Sequence, residues 1–242
     1  MPDANDQATG LRRILRPGRL RVLPVAAGMQ GTGKTMVVIE LARAAAEAGQ
    51  GVVILDQSRG DVAGALSLTW RRELDDLLSG EHEYSAVALP GPGGSAIVPG
   101  ARGIERIVES GEDGTRLFGG FAHLAAAPSL VILNLAAKDG AGCRLVPADA
   151  EMLLVARPTN PSVTATYSRM KDLVRRHGRR RFRLLVNRAD AQAAAALHAN
   201  VAEVARRFLD AEVAFGGAVA AGTTDLGPVF QALEHWSLAE FP

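Results

Sequence analysis

The chain has 242 residues, a formal net charge of +1 at neutral pH and 48% hydrophobic residues. This length and composition predict one α/β domain with a sizeable core, and they exclude a disordered chain and a globally basic nucleic-acid binder. No apolar run reaches the roughly 18 residues that a membrane-spanning helix needs, and the polar start of the chain lacks the pattern of a secretory signal. Cys143 is the only cysteine, so no intrachain disulfide can form, and we expect a cytoplasmic protein.

The first predicted element is a short amphipathic segment that ends before the first strand. Residues 1–7 are polar, and the next apolar residues recur at helical spacing with arginines between them. These apolar residues are Ala8, Leu11, Ile14 and Leu15. A Pro-Gly pair at 17–18 ends the segment, so we predict a partner-binding segment at 1–20 and a separate domain at 21–242. Two interpretations stay open, namely a frayed tail or a segment that becomes helical on a partner.

The next stretch is a strand, a glycine-rich loop and a helix. Residues 21–26 form an apolar run of strand length, and residues 28–35 read G-x-x-x-x-G-K-T, the pattern of a phosphate-binding loop. A helical pattern at 36–48 and a buried strand at 51–56 follow. In this pattern the glycines let the backbone approach phosphate oxygens, the lysine reaches the phosphates and the threonine binds Mg²⁺. The predicted nucleotide-binding residues of the loop are Gly28, Gly31, Thr32, Gly33, Lys34 and Thr35.

Strands and helices alternate over the rest of the chain. We predict a helix-like piece at 70–78, a loop at 85–95, a strand at 96–100 and a helix at 114–127. Further strands are predicted at 130–135, 152–156, 183–187 and 213–218, and further helices at 163–175, 191–208 and 224–236. This order predicts a three-layer α/β fold, with a mostly parallel sheet and helices on both faces. Ligands of such sheets bind at the carboxyl ends of the strands, where the phosphate-binding loop, Asp56, Asn134 and Asn187 are expected.

These landmarks together resemble the MinD/ParA class of P-loop ATPases, and within it the flagellar-number regulators called FlhG or FleN. The resemblance extends over nearly the whole chain. It includes the loop at 28–35, the strands that end in Asp56 and Asn134, and the segments 157–163 and 185–188. It implies a three-layer P-loop NTPase fold with ATP or ADP and Mg²⁺ as cofactors. It also implies that Asn187 lies toward the adenine, and it makes Thr35 and Asp56 candidate magnesium ligands.

The more specific part of the resemblance lies at residues 6–12. They read Asp-Gln-Ala-Thr-Gly-Leu-Arg and match the D-Q-A-x-x-L-R segment of the flagellar regulators. In that family the segment forms a helix that engages the GTPase FlhF and stimulates its hydrolysis. The resemblance implies a bacterial regulator of flagellar number or placement, with an FlhF-like GTPase as partner. A flagellar transcription regulator, switch components and a second copy of the chain are further implied partners. The implied partner-binding residues are Asp6, Gln7, Ala8, Leu11 and Arg12.

Three positions depart from the family pattern at residues that organise hydrolysis. The family reads K-G-G-x-G-K-T, in which the first lysine reaches the partner's nucleotide across a dimer, and this position is Met29 here. Ser58 replaces the Asp that positions the attacking water, and Asn134 replaces the Asp that holds the Mg²⁺ shell. Because phosphoryl transfer depends on positioned charge, we expect nucleotide binding with weak or absent hydrolysis and assign no catalytic residue. Asp61 and Asp139 are nearby acids that could compensate.

Other functions remain as alternatives. One is an active dimeric ParA/MinD-type ATPase that positions another cargo, in partition or secretion. A small-molecule kinase is less favoured, because the 85–95 loop lacks the arginine of a kinase lid. The run 175–183 holds six arginines, and we interpret it as the cationic end of a helix rather than as a nucleic-acid site. Residues 234–242 lack a basic amphipathic pattern, so we do not expect stable membrane binding.

Overall fold

The structure is a computed structural model that describes residues 19–122, 124, 127–137, 141–223 and 225–241. These residues contain nine strands and nine α-helices. The strands are β1 (Leu20–Ala27), β2 (Val52–Asp56), β3 (Leu89–Pro90), β4 (Ala96–Pro99), β5 (Leu130–Asn134), β6 (Met152–Ala156), β7 (Arg181–Asn187), β8 (Glu212–Val219) and β9 (Ala239–Phe241). The helices are α1 (Lys34–Glu47), α2 (Asp61–Ala65), α3 (Leu74–Leu78), α4 (Tyr84–Val87), α5 (Ala101–Ser110), α6 (Thr115–Ala122), α7 (Asn160–His177), α8 (Ala191–Leu209) and α9 (Gly227–Ala232).

The strands of the described residues form one sheet with the order β3-β4-β2-β5-β1-β6-β7-β8, and β9 also pairs with β1. The β3–β4 and β1–β9 pairs are antiparallel and the other pairs are parallel. The prediction of a mostly parallel sheet is therefore confirmed. Asn134 lies beside both Val25 and Asp56 in the register of the sheet. The ends of three adjacent strands are thus level with the start of the phosphate-binding loop.

The two faces of the sheet bury two separate hydrophobic clusters, because successive side chains of a strand point to opposite faces. On one face, Ile54 and its neighbours pack with Leu41 of α1 and Val229 of α9. On the other face, strand residues such as Leu133 pack with α5, α6, α7 and α8, where Phe118 is fully buried. The predicted three-layer arrangement, with helices on both faces, is confirmed.

Several predicted elements differ in extent. The helix predicted at 70–78 begins only at Leu74, because Glu73 forms a capping box in which its backbone N–H donates to Asp76 Oδ2 at 2.7 Å. The helix predicted at 114–127 spans Thr115–Ala122. The last predicted helix is shorter, at Gly227–Ala232, and a single 3₁₀ turn follows it. The loop predicted at 85–95 contains most of α4 and all of β3, so that prediction is wrong in part.

Besides α4 and β3, three more described elements were not predicted from the sequence, namely α2, α5 and β9. The sequence predicted a strand at 96–100 and no helix directly after it, but α5 begins at Ala101 and buries Ile104 and Ile107. The short strand β9 places Phe241 beside Leu20, so the sheet begins at the last residue of the predicted N-terminal segment. None of the described helices is long and apolar enough to cross a membrane.

Candidate functional site

The phosphate-binding loop joins β1 to α1 and depends on glycines at two positions. Gly31 and Gly33 have φ values of 78° and 87°, in the left-handed region that glycine adopts without strain. Helix α1 begins directly after the loop, and the N–H of Val37 donates to the carbonyl of Gly33 at 3.0 Å. The other N–H groups of the first helical turn have no helical partner and are available to an anion.

Gly28 is needed for a different reason, which is close packing against α7. Its φ is not in the left-handed region. A Cβ built on Gly28 would lie 2.2 Å from the carbonyl carbon of Ala165 and 2.4 Å from the backbone nitrogen of Thr166. The helix backbone that passes next to Gly28 therefore explains the glycine at this position.

Asn187 supports the loop from the end of β7. Its Nδ2 donates to the carbonyl oxygen of Thr32 at 2.8 Å. A Cβ on Gly33 would lie 2.1 Å from the same nitrogen, so the amide packs directly on the loop backbone. Asn187 therefore lies beside the loop, as expected, and the position of Asn187 relative to an adenine stays a prediction.

Lys34 lies at the start of α1 and is only 8% exposed. Its Nζ donates to Asn134 Oδ1 and to the carbonyl oxygen of Leu135, at the end of β5. Burial lowers the pKa of Lys34 to about 8, an effect that the nearby carboxylates of Asp56 and Asp61 oppose. These two hydrogen bonds connect the phosphate-binding loop to the carboxyl end of the sheet.

Asp56 is 1% exposed, and hydrogen bonds engage both of its carboxylate oxygens. Oδ1 accepts from the backbone N–H of Ser58 at 2.9 Å, from the Ser58 hydroxyl and from Asn134 Nδ2 at 2.8 Å. Oδ2 accepts from the backbone N–H of Val62 at 3.2 Å. The carboxylate therefore organises the turn between β2 and α2.

The three replaced family positions have different surroundings. Ser58 Oγ donates to Asp56 and lies within hydrogen-bond distance of Asn134 Nδ2 (3.2 Å) and of the backbone N–H of Asp61 (3.3 Å). Asn134 is fully buried, whereas Met29 is 40% exposed at the rim of the loop. Ser58 and Asn134 thus form one network around Asp56, and Met29 presents an uncharged thioether at the surface.

Two residues that the sequence did not indicate complete the site. Gln57 is buried, and its Oε1 accepts from the backbone N–H of Ala136 at 3.2 Å. Arg169 of α7 is also buried, and its Nη2 donates to the carbonyl oxygen of Ala136 at 3.0 Å. The positive charge of Arg169 adds to the lowering of the pKa of Lys34. No sequence signal indicated either residue, because both bind the backbone of Ala136.

The other predicted residues fall into two groups. Asp61 is exposed at the start of α2, and its charge reaches Lys34. Asp139 and the partner-binding residues Asp6, Gln7, Ala8, Leu11 and Arg12 lie outside the described residues. The structure therefore brings together the loop, Asp56, Ser58, Asn134 and Asn187 at one edge of the sheet.

The arginine-rich run near the end of α7 has structural partners. Arg179 is 1% exposed and donates to four backbone carbonyls in the stretch 143–150. Arg180 pairs with Asp210 at 2.8 Å, and Arg183 pairs with the buried Glu151 at 2.9 Å. These contacts support the interpretation that the run serves the fold.

The residues of the site fit the phosphates of a nucleotide, with Thr35 as the candidate ligand for its metal ion. A Cβ on Gly31 would meet no atom within 4 Å, so the loop has open space beside it. Lys34 supplies a charge for the phosphates, and the half-buried Thr35 supplies a hydroxyl oxygen for Mg²⁺. Asp56 is close by, but its oxygens already accept hydrogen bonds from the protein.

The fold and the loop define a P-loop protein of the MinD/ParA type. MinD from Aquifex aeolicus superimposes with a TM-score of 0.60 at 19% identity, covering 87% of this chain and 85% of that one. Cobyrinic acid a,c-diamide synthase from Mycobacterium smegmatis, solved with an ATP analog and magnesium, gives a TM-score of 0.63 at 19% identity, covering 92% and 99%. At these identities the likeness concerns the fold, and no protein-family model matches the chain.

A curated relative identifies the family. The antiactivator FleN of Pseudomonas aeruginosa is 36% identical over 205 residues, which cover 83% of this chain and 73% of FleN. The chain therefore belongs to the FleN family, as the sequence resemblance indicated.

Proposed function

We propose that this chain is a MinD-like nucleotide-binding regulator of flagellar number or placement, which acts in the cytoplasm through protein contacts. The observation that carries the proposal is the 36% identity to the antiactivator FleN over 83% of the chain. The geometry of the phosphate-binding loop supports nucleotide binding, and the absence of a membrane-spanning helix among the described residues is compatible with this location. A flagellar transcription regulator or switch component is the proposed downstream partner.

The chain binds ATP or ADP with Mg²⁺ through the loop at 28–35. The left-handed glycines, the buried lysine and the free side of the loop support this part of the proposal. Calorimetry with ATP and Mg²⁺ tests it, with Lys34→Ala as the variant that removes the phosphate contact. Lys171→Ala is the matched control, because Lys171 lies in the second half of α7, away from the loop. Equal ATP affinity in wild type and Lys34→Ala would contradict the assignment of the loop.

Hydrolysis is weak or absent. Met29 carries no charge, and the Ser58 hydroxyl and the Asn134 amide are already hydrogen-bonded to Asp56. None of these groups supplies the positioned charge or general base that phosphoryl transfer uses. Phosphate release in the presence of Mg²⁺ measures this directly. Turnover at rates typical of the class, lost in Lys34→Ala, would overturn weak hydrolysis.

Asp61 favours the alternative of an active dimeric ATPase. Its carboxylate is exposed and close enough to raise the pKa of Lys34, so an acid is present near the phosphate site. If this acid positions water, phosphate release should be measurable and Asp61→Asn should abolish it. Glu105→Gln is the matched control, because it also replaces a carboxylate by an amide, but on α5, where Glu105 pairs with Arg59 at 3.1 Å.

Residues 6–12 engage an FlhF-like GTPase, and the match to D-Q-A-x-x-L-R supports this partner. The test measures GTP hydrolysis by the partner with the wild-type chain and with the double variant Gln7→Ala, Leu11→Ala. Thr9→Ala is the matched control, since this position is not fixed in the pattern. We expect the double variant to lose stimulation and the control to keep it; equal stimulation by all three chains would exclude this segment as the contact.

A further inference from the structure

Asn134 uses both ends of its amide at the carboxyl end of β5. Its Oδ1 accepts a hydrogen bond from Lys34, and its Nδ2 donates to Asp56 Oδ1 at 2.8 Å. A carboxylate at position 134 could accept from Lys34, but it could not donate to Asp56 and would repel it. The continuous set of contacts from Lys34 to Asp56 therefore requires an amide.

The same contacts engage the two Asp56 carboxylate oxygens unequally, with three hydrogen bonds to Oδ1 and one to Oδ2. Oδ1 accepts from Asn134 and from the backbone and hydroxyl of Ser58, and Oδ2 accepts from the backbone N–H of Val62. The side chain is also almost completely buried. A metal ion that coordinates Oδ1 directly would have to displace at least one of these hydrogen bonds, whereas Oδ2 keeps one free lone pair.

Protein sites usually hold Mg²⁺ with one or two carboxylates together with the phosphates of the substrate. Here Oδ1 of the buried carboxylate is occupied, and position 134 offers an amide oxygen, which is a weaker ligand for Mg²⁺ than a carboxylate. Thr35 is the remaining family ligand. We propose that Asn134 is a positioning residue that closes Lys34, Asp56 and Ser58 into one hydrogen-bonded network, so that this chain binds ATP with little dependence on Mg²⁺. This inference rests on the proposed binding of ATP.

Nucleotide binding breaks only those hydrogen bonds of this network that Lys34 donates. To reach the phosphates, Lys34 has to leave Asn134 Oδ1 and the carbonyl of Leu135. The neighbouring Ala136 keeps its contacts with Gln57 and Arg169. The bond from Asn134 Nδ2 to Asp56 does not involve Lys34, so Asp56 stays engaged when the lysine moves.

Calorimetry of ATP binding with excess Mg²⁺ and with EDTA tests the inference. We expect the two wild-type dissociation constants to differ by less than about threefold, because the chain adds little more than one hydroxyl to the metal ion. In Asn134→Asp the two acids cannot share a hydrogen bond and can face the metal, so the difference should grow to about tenfold or more. A wild-type difference above about threefold between the two dissociation constants overturns the proposal, and Asp61→Asn then shows whether Asp61 is the acid responsible.

Amine labelling of the free chain tests the network without nucleotide. The chain has three lysines, so peptide mass spectrometry resolves the labelling of Lys34 from that of Lys171. Wild-type Lys34 should react more slowly than Lys171, because its burial keeps the reagent out and outweighs the larger share of free amine that its lowered pKa gives. Asn134→Asp should slow the reaction further, because a carboxylate holds an ammonium more tightly than an amide does. Two results would contradict the hydrogen-bonded network. One is labelling of wild-type Lys34 as fast as that of Lys171, and the other is an unchanged Lys34-to-Lys171 labelling ratio in a folded Asn134→Asp variant. Complete absence of ATP binding overturns the proposed function instead, and the labelling result still decides whether the network exists.

Discussion

Gly28→Ala should destabilise the chain by forcing the phosphate-binding loop away from α7. The new Cβ would lie 2.2 to 2.4 Å from three backbone atoms of Ala165 and Thr166, about 1 Å inside the 3.4 Å at which ordinary contact begins. Backbone atoms of a long helix cannot move aside as the end of a flexible side chain can. We therefore expect a loss of about 3 kcal/mol in the free energy of unfolding, at the upper end of the usual cost of overpacking.

Gly31→Ala is the matched control for Gly28→Ala. Gly31 has a φ of 78° but open space around its Cβ position, so alanine there meets only the backbone strain of about 1 kcal/mol. Thermal unfolding should show a decrease of roughly 6 to 12 °C for Gly28→Ala and roughly 2 to 4 °C for Gly31→Ala. If Gly28→Ala is as stable as Gly31→Ala, contact with α7 is not the reason for glycine at position 28.

Two further predictions concern buried cations. Arg179→Met removes the guanidinium donor from four backbone carbonyls, of which those of Cys143 and Pro147 keep a backbone N–H donor, and should lower the free energy of unfolding by about 3 kcal/mol. In the same denaturant titrations Arg180→Met, which breaks an exposed ion pair and two hydrogen bonds to backbone carbonyls, should cost only about 1 kcal/mol. Lys34 has a pKa of about 8 in the folded chain against 10.5 as its ordinary value, so the unfolded chain holds more protons between these pH values. Wild-type stability should therefore rise relative to Lys34→Met by about 2 to 3 kcal/mol as the pH increases from about 8 to about 10.5. Parallel pH profiles for wild type and Lys34→Met would show that the lysine is not desolvated.

The sequence predicted the parts of the site that lie at the carboxyl ends of parallel strands. The phosphate-binding loop has a fixed pattern, and Asp56, Asn134 and Asn187 each end an apolar strand, so their meeting at one edge follows from parallel pairing. The reason for Gly28 could not be predicted in this way. It depends on how closely the backbone of α7 passes the loop, a tertiary distance that local sequence does not encode.

Gln57 and Arg169 show a second limit of the sequence. Both bind the backbone of Ala136, and a backbone group carries no residue-specific signal that could indicate its partner. Helix α5 was missed for a more local reason: it follows a Pro-Gly pair and contains Gly103, which weakens the helical pattern. Gly103 is nevertheless suitable there, because its missing side chain leaves room for Leu74 of α3.

The replacements at positions 58 and 134 are coupled, because both side chains contact the same oxygen of Asp56. A carboxylate at position 58 alone would face Asp56 without a cation of its own and would lose the hydroxyl donor. A carboxylate at position 134 would at least retain Lys34 as a neighbour. Ser58→Asp should therefore destabilise the nucleotide-free chain more than Asn134→Asp does, and the double variant should cost more than either change because three carboxylates then surround one lysine. Denaturant titrations of the three variants measure this order, and equal costs for the two single changes would contradict it. Ser58→Asp alone or Asn134→Asp alone should also not restore hydrolysis. Whichever acid is introduced first disturbs the Asp56 carboxylate, and an acid at the other position would need that carboxylate in place.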